Sequence, residues 1–123
     1  MPAPSSRVLQ RWEVWRVVWQ YSDGVTSSTR PALLIDDRPD PSAPTFRFVL
    51  ISGQVHAGIP RIRLMPADPG FAMTGLTKES FVYVADVQKI ETASVLERLG
   101  VLPGYVARAV DAKMQELRRG RAQ

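Results

Sequence analysis

Few residues in this chain can do chemistry, and Arg30 leads them. It stands at the exit of a polar loop, Ser22 to Thr29, directly before Pro31 and the apolar run Ala32-Leu33-Leu34-Ile35. Proline fixes φ and has no backbone donor, so Pro31 suits the first position of a strand or a sheet edge. Arg30 is thereby expected at a sheet rim. A guanidinium is permanently protonated and its fork matches a phosphate. It can hold a phosphodiester and stabilise the charge that builds as the phosphorus is attacked. Ser52 is the second candidate. It ends an apolar run just before Gly53, which leaves room for a backbone to approach. A hydroxyl there can donate to a phosphate oxygen. Taken singly, each residue also fits a structural role, as an edge cation and as a strand-end hydroxyl.

Other chemistries lack their residues. The single histidine, His56, lies between Gly53 and Gly58 and reads as an exposed loop residue. Nothing in its spacing supports a Ser-His-Asp triad. The sequence has no cysteine, which excludes disulfides, thiolate metal sites and cysteine nucleophiles. One histidine and no cysteine leave no transition-metal site. Asp36, Asp37 and Asp40 flank Pro39 and Pro41 without the calcium-loop pattern, so a solvated acidic loop is expected. Neither common Gly-rich phosphate loop is present. No metal and no cofactor is expected.

The elements that must position Arg30 and Ser52 follow from hydrophobic patterning. The 123 residues suffice for one domain with its own core, and 45% are apolar, as in a folded globule. Trp12 to Gln20 is rich in Val and Trp and reads as a strand. Ala32 to Ile35 is the second. Thr45 to Ser52 alternates, with Phe46, Phe48 and Leu50 on one face and Arg47, Val49 and Ile51 on the other. Ile59 to Leu64 alternates again, as does Phe81 to Val87. Ser94-Val95-Leu96-Glu97 fits a capping box with Gly100 as the C′ residue, which predicts a short helix over Val95 to Leu99. Pro103 can open a second helix, along which Val106, Val110, Met114 and Leu117 recur at helical spacing. The expected fold is mainly β, a small curled sheet or barrel packed by a terminal amphipathic helix. A disordered lead over 1–10, one domain over 11–119 and a short tail over 120–123 complete the organisation.

A net charge of +4 favours a polyanionic or acidic partner. No apolar stretch approaches the ~20 residues of a membrane span. The first residues lack the apolar region of a secretory signal. Absence of cysteine permits a reducing cytoplasm. Arg61 and Arg63 share a strand face that is either phosphate-contacting or merely solvated. Trp12, Trp15 and Trp19 either stack bases or pack a core or dimer interface.

Together these residues resemble the MazF/PemK family of toxin ribonucleases, within the CcdB/PemK superfamily. The resemblance runs from about Trp12 to Leu117. It rests on the Val/Trp-rich first strand, on Arg30-Pro31-Ala32-Leu33-Leu34-Ile35, on Val49-Leu50-Ile51-Ser52-Gly53, and on Gly75-Leu76-Thr77-Lys78-Glu79-Ser80-Phe81-Val82 leading through Asp86 toward Gly100. It implies a small SH3-like barrel with a C-terminal helix, acting as a homodimer. It implies metal-independent cleavage of single-stranded RNA, in which the 2′-hydroxyl attacks the adjacent phosphate and leaves a cyclic phosphate and a 5′-hydroxyl. Arg30 would then stabilise or protonate at the scissile phosphate, and Ser52 would stand for the family's threonine. Gln54 joins Arg61 and Arg63 as an RNA contact. An acidic antitoxin would cover the same basic surface.

Several positions depart from the family pattern. Trp12-Glu13 stands where the family has Gly-Asp, and Val25-Thr26 where it often has Glu-Gln. The acidic residue some members use would correspond to Asp86, here one position late, with Ala85 in its place. A one-residue shift on a regular strand turns a side chain to the other face. Gln88 replaces a nearby arginine. The competing expectation is a protein on this fold that has lost catalysis and only binds RNA or its partner. A CcdB-like gyrase poison is a further alternative, but the ending Arg119-Gly120-Arg121-Ala122-Gln123 does not resemble the tail through which those toxins act.

Overall fold

The structure, a computed structural model, describes residues 8–21 and 23–121. Six strands form one antiparallel sheet: β1 Glu13–Gln20, β2 Ser27–Leu34, β3 Thr45–Ser52, β4 Ile62–Leu64, β5 Ser80–Glu91 and β6 Val95–Val101. Their order across the sheet is β4-β5-β3-β2-β1-β6. One helix follows, α1 Gly104–Arg121, with Pro103 just ahead of its first residue. The sheet curls into a half-barrel, as the mainly β expectation required. Of the lead expected over 1–10, residues 1–7 lie outside the described residues, while Leu9 is buried. Residues 122 and 123 of the expected tail are likewise outside.

The alternation in β3 separates two cores. Val49 and Ile51 join Val14, Leu33, Val82 and Val84 beneath α1, which contributes Val106 and Val110. Phe46 and Phe48 face the opposite side with Trp15, Trp19 and Ile90. Trp15 and Trp19 are therefore core residues, and Trp12 is partly buried against the helix-side core. Fully burying a side chain such as Phe48 is worth ~1.5–3 kcal/mol. Trp12 has φ 75°, the left-handed region that glycine enters freely and larger residues avoid. Its backbone is clamped there, donating to Leu34 O at 2.8 Å and accepting from Leu102 N at 2.9 Å. The position is one where the resembling family carries glycine.

The short helix expected over Val95 to Leu99 is not formed. Those residues belong to β6, which pairs antiparallel with β1. Glu97 makes an ion pair with Arg16 across that pairing instead of capping a helix. Gly100 is no helix terminus either. A Cβ there would lie 2.1 Å from Met73 O, so glycine admits the backbone of the neighbouring 3₁₀ turn, Phe71–Thr74. The helix-cap signature was a local pattern, and tertiary strand pairing overrode it.

The second strand also differs from expectation. It begins at Ser27, inside the segment read as loop, so Arg30 lies within a strand and pairs with Val17 of β1. β3 pairs with β2 only from Ala32 to Leu34. Pro31 has no N–H to offer, and it marks the point where β2 parts from β3. Arg30 thus does sit at a rim, but the rim is a fork inside the sheet.

Candidate active site

Arg30 is half-buried at this fork. The β1–β2 hairpin turn brings Tyr21 over it. Asp23 holds the turn, its Oδ1 accepting from the backbone N–H groups of Val25 at 2.8 Å and Thr26 at 2.7 Å. Ser28 and Arg30 are two apart on one strand and so share a face. Both reach the Tyr21 hydroxyl: Arg30 Nε donates to it at 2.7 Å, and Ser28 Oγ lies 2.7 Å away. These contacts, the Ser28 hydrogen bond first and Arg30 second, hold the Tyr21 phenol below its ordinary pKa. Among the described residues no carboxylate pairs with Arg30, whereas Arg11, Arg16, Arg47, Arg63 and Arg98 each have one.

Ser52 closes β3 beside the same fork and is 7% exposed. Its Oγ accepts from Gln54 N–H at 3.2 Å, which leaves its own proton free for a ligand oxygen. Gly53 lets the Lys78 stem pass close by: an added Cβ would sit 3.2 Å from Lys78 Cε.

Asp86 reaches the site through an irregularity in β5. Val49 pairs with Val87, but the next residue, Leu50, pairs with Tyr83, so residues 84–86 form a bulge. Val84 packs into the helix-side core while Asp86, two residues on, lines a cleft with Leu50 and Ser52. Strict alternation would have put Val84 and Asp86 on one face. Bulges re-aim side chains in this way, so the parity argument that turned Asp86 away from the site fails here. Asp86 is exposed, yet partial desolvation in the cleft pushes its carboxyl above the usual range. The charge of His56 opposes part of that rise.

The cleft has a volume of about 700 Å³ and is lined by Arg30, Ser52, Gln54, Asp86, Tyr21 and His56, with Gln88 at one end. A smaller cavity of about 230 Å³ lies on the other side of Arg30 and Ser52 and adds Arg16 and Lys78. The Gln88 side chain is engaged with the end of β1, donating to Gln20 O at 2.6 Å and accepting from Gln20 N at 3.2 Å. The arrangement offers a cation without a carboxylate partner, a hydroxyl donor and a carboxylate around one cleft. Among the described residues no cluster of three or more His, Cys, Asp or Glu could hold a metal ion.

The structure brings Arg30, Ser52, Gln54 and Asp86 together. Arg61 and Arg63 line a different cavity, of about 760 Å³, with Phe81 and Lys113. Arg61 lies over the Phe81 ring at 5.6 Å, and Arg63 Nε is 2.5 Å from Glu79 Oε2. Glu13, where the resembling family has aspartate, is 5% exposed and occupied by Trp15 Nε1 at 3.1 Å and Arg98 Nε at 2.8 Å. Sequence reasoning passed over Tyr21 and Lys78 as site residues; it read His56 as an exposed loop residue, which it is, although it also lines the cleft. The Asp23-Gly24 turn was the available signal for Tyr21, since a hairpin there sets it opposite the start of β2. For His56 and Lys78 no local signal exists.

No family model matches the chain, and no curated protein matches it. Solved structures do. A Mycobacterium tuberculosis toxin, MazF-mt6, superposes with a TM-score of 0.65 at 16% identity, covering 85% of this chain and 93% of that one. An endoribonuclease in complex with its cognate antitoxin from a mycobacterial species gives 0.65 at 13% identity over 86% of this chain and 90% of that one. The MazE-MazF structure from Deinococcus radiodurans gives 0.68 at 14% identity over 90% and 96%. At such identities the likeness concerns the backbone. The half-barrel with its terminal helix is the fold of the MazF toxins.

Proposed function

We propose that this chain is the toxin of a type II toxin–antitoxin pair, an endoribonuclease that cuts single-stranded RNA without a metal. The observation that carries this reading is the convergence of Arg30, Ser52 and Asp86 on one cleft of a MazF-type fold. RNA supplies its own nucleophile as the 2′-hydroxyl. In this reading the Arg30 fork and the Ser52 hydroxyl grip the non-bridging oxygens of the phosphate and stabilise the charge gained on attack. Products are a 2′,3′-cyclic phosphate and a 5′-hydroxyl. An acidic antitoxin fits the +4 charge of the chain, and the solved relatives include complexes with an antitoxin. A homodimer working in the cytoplasm completes the proposal. Among the described residues no helix is long and apolar enough to cross a membrane.

The test is mapping of RNA ends after incubation with the purified protein in EDTA. Cleavage leaving cyclic phosphates, abolished in Arg30→Ala, is the expected result. Intact RNA at high protein concentration, with the fold verified, would overturn it. One observation favours a second reading, in which the protein binds RNA or its partner without cutting. Gln88 stands where the resembling family has arginine, and its amide is spent on the Gln20 backbone. Growth arrest that persists in Arg30→Ala would support binding over cleavage.

A further inference from the structure

RNA cleavage by 2′-hydroxyl attack needs two proton transfers, one from the nucleophile and one to the leaving 5′-oxygen. Arg30 is a poor proton donor because a guanidinium stays protonated at any working pH. The Gln88 amide is not an acid and its N–H is spent on Gln20 O. Ser52 can donate to a phosphate oxygen, and the Tyr21 hydroxyl is already engaged with Ser28 and Arg30. His56 is the one histidine of the chain, and it lies in this cleft.

Its placement is built rather than incidental. The His56 backbone N–H donates to Tyr83 Oη at 3.0 Å, and Tyr83 passes its own proton to Gln54 O. The imidazole packs on the Tyr83 ring with centroids 5.3 Å apart. Tyr83 itself is 1% exposed, so the loop carrying His56 is tied to the core. His56 and Asp86 together line both the main cleft and an adjoining cavity of about 650 Å³. The bulge in β5 that turns Asp86 into the cleft therefore turns it toward His56. The other charges near this pair are Arg30 from β2, Lys89 from β5, and Arg61, whose Nη1 is 3.5 Å from His56 O.

We propose that His56 and Asp86 form the acid–base pair of this site. Resting on the ribonuclease reading above, Asp86 accepts the proton of the 2′-hydroxyl as the O2′–P bond forms. His56, as imidazolium, donates a proton to the 5′-oxygen as the P–O5′ bond breaks. One cycle leaves a neutral imidazole and a protonated carboxyl, and exchange through solvent restores both. A histidine on the loop after β3 thus supplies the proton to the leaving oxygen.

The test compares two RNA substrates of one sequence. One is ordinary RNA; the other carries a 5′-bridging sulfur at the scissile phosphate, so that the leaving thiolate needs no proton. His56→Gln is expected to slow cleavage of ordinary RNA by about 100-fold or more, in the range of general acid catalysis. On the sulfur-bridged substrate it is expected to approach the wild-type rate. Binding of a 2′-deoxy analogue should be unchanged. Equal losses on both substrates, or no loss on either, would overturn the assignment while leaving the ribonuclease reading intact. A wild-type protein that cuts neither substrate would overturn both. Matching thermal unfolding of His56→Gln and wild type keeps misfolding out of the comparison.

Discussion

Arg30 Nε donates to Tyr21 Oη at 2.7 Å, and this bond fixes one edge of a guanidinium that lines the cleft. Arginine loses much side-chain entropy when ordered, so a fixed fork is prepared for a phosphate. Tyr21→Phe removes the acceptor but keeps the ring. It is expected to lower kcat/KM for RNA about tenfold, the equivalent of ~1.4 kcal/mol. Arg30→Lys keeps the charge and loses the fork, and should cost about 100-fold or more. Initial rates on a short fluorogenic RNA measure both. A Tyr21→Phe protein as active as wild type would remove the phenol from the site.

The same phenol offers a test without substrate. Hydrogen bonding by Ser28, and secondly by Arg30, lowers its pKa. An alkaline absorbance titration of wild type minus Tyr21→Phe isolates this one group. Its midpoint should lie below the ordinary ~10. Ser28→Ala should move that midpoint upward, because the larger of the two stabilising hydrogen bonds is lost. A midpoint at or above the ordinary value would contradict the observed geometry.

Ser52 is buried and its hydroxyl accepts from the Gln54 N–H. Ser52→Ala leaves that N–H without its partner at a cost of about 1 kcal/mol in stability. Activity should fall further than that loss explains, because the donor to the phosphate also goes. Ser52→Thr keeps the hydroxyl on a strand, where a β-branched residue is at ease, and should retain most activity. Melting temperature and RNA cleavage measured together separate the two effects.

Much of this architecture was legible because alternation is a local signal with a global cause. The span of β3 emerged intact from its apolar–polar rhythm, and its two faces became the two cores. The residues from Val95 to Gly100 were misread for the converse reason. A capping pattern and a glycine are local cues for a helix, while pairing with β1 and the approach of Met73 come from residues far off in sequence. Arg30 and Ser52 could be found from residue type and neighbours. The turn of Asp86 into the cleft could not, since the bulge depends on how β5 registers against β3.

Gly100 gives a direct measure of that tertiary cause. A methyl group there would meet Met73 O at 2.1 Å and the Thr74 carbonyl carbon at 2.5 Å, and backbone cannot step aside as a side chain can. Gly100→Ala is expected to destabilise the fold by about 2–3 kcal/mol or more. A helix C′ glycine in open solvent would tolerate the change far better. Denaturant unfolding of the two proteins distinguishes these cases, and a change below ~0.5 kcal/mol would argue against the close approach.

Asp86 should reveal itself through stability as well as rate. Desolvation raises its folded-state pKa above the unfolded value, and His56 offsets only part of that. Between the unfolded and folded pKa values the native state holds more protons than the unfolded state, so stability falls as pH rises through that window. Above it, the protein carries a charged carboxylate that the cleft disfavours. Asp86→Asn removes the charge at nearly constant shape. It is therefore expected to be more stable than wild type near neutral pH, with the advantage vanishing as pH drops below the ordinary carboxylate range. Cleavage should move the opposite way, falling about 100-fold or more if Asp86 accepts the proton of the 2′-hydroxyl. Denaturant midpoints at two pH values and a rate assay test the pairing. A variant that loses stability at neutral pH would show that the carboxylate is held by favourable contacts, and a variant that keeps full activity would take Asp86 out of the reaction.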